Sequence, residues 1–137
     1  MKERDPYADA DLLARTIWAE ARGEGASGMA AVACVVVNRV RAPCWWGDSV
    51  ASVCRAPWQF SCWNKGEPNG AAALRVGAGN AEFVLALRLA TRAVMGALPD
   101  STGGATHYHA ASVLPRWAKG RTPCAIIGNH LFYKGIG

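Results

Sequence analysis

The stretch LARTIWAEARGEGASGMAAVACVVVNRV, Leu13–Val40, decides how this chain folds. It sets two runs of small and branched apolar residues on either side of a break containing Gly23, Gly25 and Gly28. Upstream, Leu13, Ile17 and Glu20 follow one another at spacings of four and three, so a helix carries them on one stripe. Asp9 or Asp11 caps the start of that helix, and Gly23 supplies the left-handed conformation that ends it near Arg22. Glu20 is therefore expected in the last turn, on the apolar side. Downstream, Ser27 is positioned to cap a second helix through GMAAVACVVVNRV, which ends before Pro43 because proline holds Ala42 extended. Its valines suit a strand, but the alanines and the length of the run favour a helix.

Outward from this pair, Asp48–Arg55 predicts a short helix, and APWQFSCWNKGEPNG (56–70) an irregular loop punctuated by Pro and Gly. Asn80 opens the clearest helix, NAEFVLALRLATRAVMGA, with Phe83, Leu87, Ala90 and Val94 as its inward stripe and Gly96 and Pro99 marking its end. STGGATHYHA (101–110) reads as a turn into a short strand, and NHLFYKG (129–135) alternates as a partner strand does. The expected fold class is α+β, mainly α, with a small antiparallel sheet late in the chain.

The chain has 137 residues, room for one core, and a single domain over 1–137 is expected. A composition of 51% hydrophobic and 18% charged residues excludes a disordered protein. The richest apolar run, MAAVACVVVN, falls short of the roughly 18 residues of a membrane span, so no membrane insertion is expected. The polar opening MKERDPYADAD lacks the pattern of a secretory signal; the expectation is a protein made in the cytoplasm that meets an outside substrate after release. No heptad or long apolar edge advertises an oligomer, and a monomer is expected.

Charge is unevenly placed. Up to Glu82, nine Lys/Arg face nine Asp/Glu, whereas from Phe83 onward six basic residues face Asp100 alone, which leaves the net +5 in the second half. Such a half suits an anionic partner (nucleic acid, an acidic membrane surface or an anionic bacterial envelope), or is simply a solvated face. The five cysteines show no CxxC spacing, so a zinc ribbon does not fit. Cys34 reads as a small core residue, and pairing among Cys44, Cys54, Cys62 and Cys124 stays open.

A carboxyl group walled in by Leu13, Ile17 and aromatic rings loses hydration, which raises its pKa, and the negative end of a helix acts in the same direction. An acid still protonated near neutral pH is what protonates a leaving sugar oxygen. The alternatives are a Glu20 paired with Arg22 or Arg39, or one turned to solvent. Trp45, Trp46, Trp58, Phe60 and Trp63 crowd one irregular segment, where large rings suit sugar stacking as well as a satellite core. Gln59, Ser61 and Asn64 interleave with them as hydrogen-bonding groups.

The opening stretch, Leu13–Val40, resembles the first motif of the bacterial cell-wall hydrolase family typified by the spore-cortex-lytic enzyme. PWQFSCWN (57–64), GGATHYHA (103–110) followed by PRWA (115–118), and IGNHLFYKG (127–135) resemble its later motifs in the same order. That resemblance implies an enzyme cleaving peptidoglycan glycan strands between N-acetylmuramic acid and N-acetylglucosamine. It also implies a compact α-rich fold related to lysozymes and lytic transglycosylases. By position it makes Glu20 the catalytic acid and Glu24 a structural group, read here as accepting hydrogen bonds from the turn after Gly23, with Arg22 between them. Gln59, Phe60 and Ser61 match a sugar-facing segment, extended here to Trp63, and His107 and Tyr108 fall in the strand motif lining the cleft. With no wall-binding repeat in the sequence, the chain resembles the stand-alone catalytic modules used as phage endolysins.

Glycosidases commonly set two carboxylates about the scissile bond. Asp48, Glu67, Glu82 and Asp100 sit in no motif that demands a second catalytic acid, and Asp48 and Asp100 read as cap and turn residues. A lytic transglycosylase needs only one Glu, acid then base, and is the favoured mechanism over a hydrolytic muramidase. Two rivals come from other classes. His107 and His109, on one side of a strand, suggest a metal site with His130 or a cysteine, though no metal or cofactor is expected. A non-catalytic module binding wall polymer or nucleic acid would use the basic half, but no nucleic-acid motif accompanies the charge.

Overall fold

The structure is a computed structural model, and it describes residues 5–57 and 59–136. Trp58, one of the crowded rings, lies outside the described residues, as do the first four of the polar opening. Helix α1 spans Pro6–Ala21. It begins earlier than expected: Asp5 is the cap, its carboxylate accepting from the N–H of Tyr7 at 2.9 Å and of Ala8 at 3.3 Å. Among several aspartates able to cap, Pro6 decides, because a proline in the first turn needs no donor and has its φ already set. Asp11 instead pairs with Arg15 at 2.9 Å, whose guanidinium also reaches the carbonyls of Ala73 and Val76.

The break differs in detail as well. Arg22–Glu24 form a single 3₁₀ turn, and the positive φ belongs to Gly25 (+72°), not Gly23. Helix α2, Gly25–Arg41, follows with Glu24 at its cap position and Ser27 already inside the first turn, so Ser27 caps nothing. It ends at Ala42 before Pro43, as the proline requires. Helix α3, Val50–Arg55, is capped by Ser49, not Asp48, through a reciprocal box with Ser52. The loop thought irregular contains a 3₁₀ turn, Ser61–Trp63, and a helix α4, Pro68–Arg75, again with proline in its first turn.

Helix α5, Ala81–Val94, is capped by Asn80, which accepts from the Phe83 N–H at 2.9 Å and from the Trp18 indole at 3.2 Å. Its buried stripe is Phe83, Ala86, Ala90 and Ala93; Leu87 is 38% exposed and Val94 only partly covered. The helix is rotated from the hydropathy reading because alanines allow α1 and α2 to approach closely where leucines would not. Strands β1 (His107–Ala110), β2 (Ala125–Ile127) and β3 (His130–Tyr133) form an antiparallel sheet in the order β1-β3-β2. The expected pairing is present, with Tyr108 opposite Phe132; the three-residue β2 was too short to show in the sequence. The main core lies among the helices, and a smaller one, Ala31, Val35, Ala105 and Phe132, joins α2 to the sheet. Cys54 and Cys62 belong to the main core, Cys34 is buried as well, and all five cysteines are free thiols.

Candidate active site

Glu20 ends its stripe where the sequence placed it. Leu13 and Ile17 are fully buried, and Glu20, in the last turn of α1, is partly so. Its carboxylate accepts the backbone N–H of Ser61, at the start of the 3₁₀ turn. Burial lifts its pKa from the ordinary 4.5 to about 7; the Ser61 bond opposes the rise and the negative charge of Glu67 adds to it. Among the described residues no lysine, arginine or histidine forms an ion pair with it. Arg22 points elsewhere: it lies over the Trp18 ring at 4.0 Å and donates to the carbonyls of Trp18 and Ala19 and to Asn69 Oδ1.

Beside Glu20 runs a groove of about 480 Å³. Gln59, Phe60 and Ser61 line one side, and His107, Tyr108 and Trp117 the other. Glu20 stands behind this lining: Ser61 holds its carboxylate, and the Tyr108 phenol feels its charge. Burial, and then the nearby Glu20, hold that phenol well above its ordinary pKa, so it stays a hydroxyl. Tyr108 also stacks on Phe132 at 5.5 Å, fixing its ring to the sheet. His107 is pushed down to about 4 by burial, with the charges of Arg39 and Arg121 acting the same way, and is neutral in the groove. Phe60, 3% exposed, belongs mainly to the core and offers the groove little more than an edge.

Trp63 is a correction. Its indole donates to Thr16 Oγ1 at 3.0 Å, and Arg55 covers its ring at 5.3 Å, on the side of the turn away from the groove. In a 3₁₀ turn each residue advances by a third of a revolution, so Ser61 and Trp63 cannot face one way. The described rings of that segment therefore do not form one platform. Trp46 is buried with its indole on the Arg39 carbonyl at 2.9 Å, and Trp45 is 58% exposed. Glu24 is a second correction. It does not serve the turn after Gly23; its Oε2 accepts the N–H of Asn129 at 3.4 Å, at the β2–β3 turn. A side chain at Gly28 or Gly128 would collide with Glu24, so the two glycines leave it its path.

Among the groove residues that escaped the sequence reading as site members, three carry polar or aromatic chemistry: Arg39, His109 and Trp117. Trp117 sits between the rings of His107 (5.2 Å) and His109 (5.7 Å), and His109 Nε2 hydrogen-bonds the Tyr133 hydroxyl at 2.9 Å. The two histidines share a side of β1, as alternation demands, but His130 turns to Tyr108 instead. Among the described residues no three His, Cys, Asp or Glu side chains gather as metal ligands. Arg39 had a signal in the sequence: Val32, Val36 and Arg39 repeat the spacing that singled out Glu20.

Residues 23–133 match the family model described as Cell Wall Hydrolase. The chain belongs to that family. The matched segment takes in every groove residue named above and begins three residues after Glu20. The chain is 32% identical over 131 residues to a spore cortex-lytic enzyme of Halalkalibacterium halodurans, covering 92% of this chain and 35% of that protein. Over 41 residues it is 57% identical to the cell wall hydrolase CwlJ of Bacillus subtilis, covering 30% of this chain and 29% of that protein. The matches thus span about a third of the length of these relatives. The fold is that of the catalytic domain of the Bacillus cereus SleB protein, with a TM-score of 0.75, 26% identity and coverage of 98% of this chain and 94% of that one. The catalytic domain of the germination-specific lytic transglycosylase SleB from Bacillus anthracis superposes with a TM-score of 0.70 at 26% identity, over 96% and 97% of the two chains. The family and the mainly α architecture read from the sequence are both found.

Proposed function

We propose that this chain is a catalytic module that cuts peptidoglycan glycan strands between N-acetylmuramic acid and N-acetylglucosamine, with Glu20 as its proton donor. The observation that carries the reading is a carboxyl group with a pKa near 7, free of any cation among the described residues, beside an aromatic-walled groove. The likeness to the catalytic domain of a germination-specific lytic transglycosylase supports the chemistry.

In this reading Glu20, protonated, gives its proton to the glycosidic oxygen as the bond from the muramic anomeric carbon to that oxygen breaks. The Ser61 N–H steadies the carboxylate left behind. That carboxylate then takes the proton of the muramic C6 hydroxyl while its oxygen bonds to the anomeric carbon, closing a 1,6-anhydro ring and restoring the acid. No second carboxylate is consumed. Tyr108, kept as a hydroxyl, is placed to orient the sugar or the acid by hydrogen bonding. Trp117 offers the ring on which a sugar stacks.

Hydrolysis is the second reading, and one observation favours it: the charge of Glu67 reaches Glu20, which puts a second carboxylate in its neighbourhood. A water activated there would leave a reducing end. Mass spectrometry of digested sacculi separates the two, since anhydro-muramic ends support transglycosylation and reducing ends alone support hydrolysis. A folded Glu20→Gln protein that digests sacculi at the wild-type rate overturns both. We place the action in the periplasm or wall, where this substrate lies, and read the deployment as that of a phage endolysin. Lysis that starts only when the inner membrane of expressing cells is permeabilised supports that role.

A further inference from the structure

Arg39 is 4% exposed, yet among the described residues no carboxylate pairs with it. Its Nε donates to the Thr106 carbonyl at 2.7 Å and a terminal nitrogen to Gln59 Oε1 at 3.2 Å, while the Trp46 ring lies 4.8 Å from the guanidinium. A guanidinium carries five N–H donors in a fixed fork, so these contacts leave donors for something in the groove that Arg39 lines. With a pKa of about 10 the group remains a cation at neutral pH. Arg121 adds positive charge on the same side, where both cations act on His107. Glu20 and Glu67 hold the opposite sign, and Tyr108 feels Glu20 and Arg39 at once. Both signs thus reach Tyr108, the acid from behind the Ser61 lining and the cation from the lining itself.

We propose that Arg39 is a carboxylate-binding subsite of the groove, taking the acid group that a muramic unit presents, either its own lactyl carboxylate or that of a peptide joined to it. The proposal rests on the peptidoglycan reading above. A neutral glycan would bury this cation further and return only single hydrogen bonds from uncharged oxygens, whereas a carboxylate meets the fork with two parallel charge-assisted ones. Because only muramic units carry the acid, its capture sets the register of the strand. The bond presented to Glu20 is then the same one at every binding event.

Calorimetry on the Glu20→Gln protein, which holds its ligand without cutting it, tests this with three tetrasaccharides of alternating N-acetylglucosamine and N-acetylmuramic acid. In the first the lactyl groups are free carboxylates, in the second primary carboxamides, and in the third they are joined to L-alanine, which moves the carboxylate one residue outward. One of the two acids should bind about tenfold or more tighter than the carboxamide, and which one does so identifies the source. The advantage should shrink as salt is raised. Adding Arg39→Lys, which keeps the charge and loses the fork, should cut the ratio of acid to carboxamide affinity severalfold. Equal binding of all three ligands overturns the subsite and leaves the glycan reading standing. A full advantage retained in a folded Arg39→Lys protein overturns it too. No binding of any ligand overturns subsite and glycan reading together.

Discussion

Helices α1 and α2 each carry one charged side chain on an apolar stripe near the C-terminus, Glu20 after Leu13 and Ile17, Arg39 after Val32 and Val36. The two are treated oppositely. A helix C-terminus favours a cation and disfavours an anion, so Arg39 stands where the backbone helps it and Glu20 where the backbone resists. Arg39 is anchored to Thr106, Gln59 and the Trp46 ring. Glu20 has the Ser61 N–H and a nearby carboxylate that repels it. A group kept against local preference, with no structural bond that needs its charge, fits a role in chemistry; a group that ties three elements together fits a role in shape as well.

Glu20→Gln tests that contrast at its strongest. Activity on sacculi should fall by about 10²–10⁴-fold or more. Stability should move the other way. The folded pKa of Glu20, about 7, lies above its ordinary 4.5, so the native state disfavours the ionised form. That cost is absent below pH 4.5, grows as pH rises, and is complete above 7, where the Gln variant should be more stable by roughly 3 kcal/mol. His107 acts in the reverse sense. Its folded pKa of about 4 lies under its ordinary 6.5, so its contribution is present above 6.5 and is lost as pH falls toward 4. In the wild type these slopes oppose one another between about pH 4.5 and 6.5. Thermal midpoints of Glu20→Gln across that window should fall on acidification more steeply than those of the wild type.

Arg39→Met should instead cost stability, roughly 2–4 kcal/mol, because the Thr106 carbonyl and the Gln59 amide lose a charged donor in a buried place. Denaturant titration measures it. With one of its two neighbouring cations gone, His107 should titrate at a higher pH, readable from its ring proton shifts. If the charge at 39 were dispensable to the fold, the variant would unfold at the wild-type midpoint and the contrast with Glu20 would vanish.

Ser61→Pro is a narrower probe of the acid. Position 61 opens the 3₁₀ turn, and Phe60 before it is extended (φ −108°, ψ 102°), so proline fits there and removes the N–H that Glu20 uses; Ser61→Ala, which loses the hydroxyl alone, is its control. The Glu20 pKa should rise and the alkaline limb of kcat should move to higher pH, with kcat itself lower by about tenfold. An unmoved limb would mean that the Ser61 bond does not set the acid.

What the sequence made legible follows from the range of the interactions. Glu20 was found because a stripe is local: spacing of three and four residues places it whatever the rest of the chain does. Applied to α2, the same reasoning reaches Arg39, which was instead considered only as a partner for Glu20. The pairing of β1 with β3 was also visible, since alternation in HYHA and HLFY sets their faces. The composition of the groove wall was legible only in part, since Gln59, Phe60, Ser61, His107 and Tyr108 line it but Trp63 does not. Trp63 and Ser61 stand two residues apart and point in different directions, a matter of how tightly one turn is wound. Trp117 reaches His107 and His109 across a loop that no periodicity describes. Glu24 meets its partner 105 residues away, and nothing around it in the chain announces the β2–β3 turn.

That long-range contact gives the smallest effect and the closing test of the comparison. Glu24 is the second carboxylate of the same short motif as Glu20, and its Oε2 on the Asn129 N–H, with its path cleared by Gly128 at φ +56°, fits the structural role we propose for it. Gly128→Ala puts a methyl group against the Glu24 carboxylate and asks alanine to hold a left-handed backbone, a strain of about 1 kcal/mol with the turn displaced as well. The thermal midpoint should drop by a few degrees, roughly 3–5 °C per kcal/mol for a chain between the small and the large domain sizes. The activity per folded molecule should change little, because β1 and the groove keep their own pairing to β3. If instead turnover collapsed while stability held, Glu24 would share in the chemistry, and the division between one working carboxylate and one structural carboxylate would have to be redrawn.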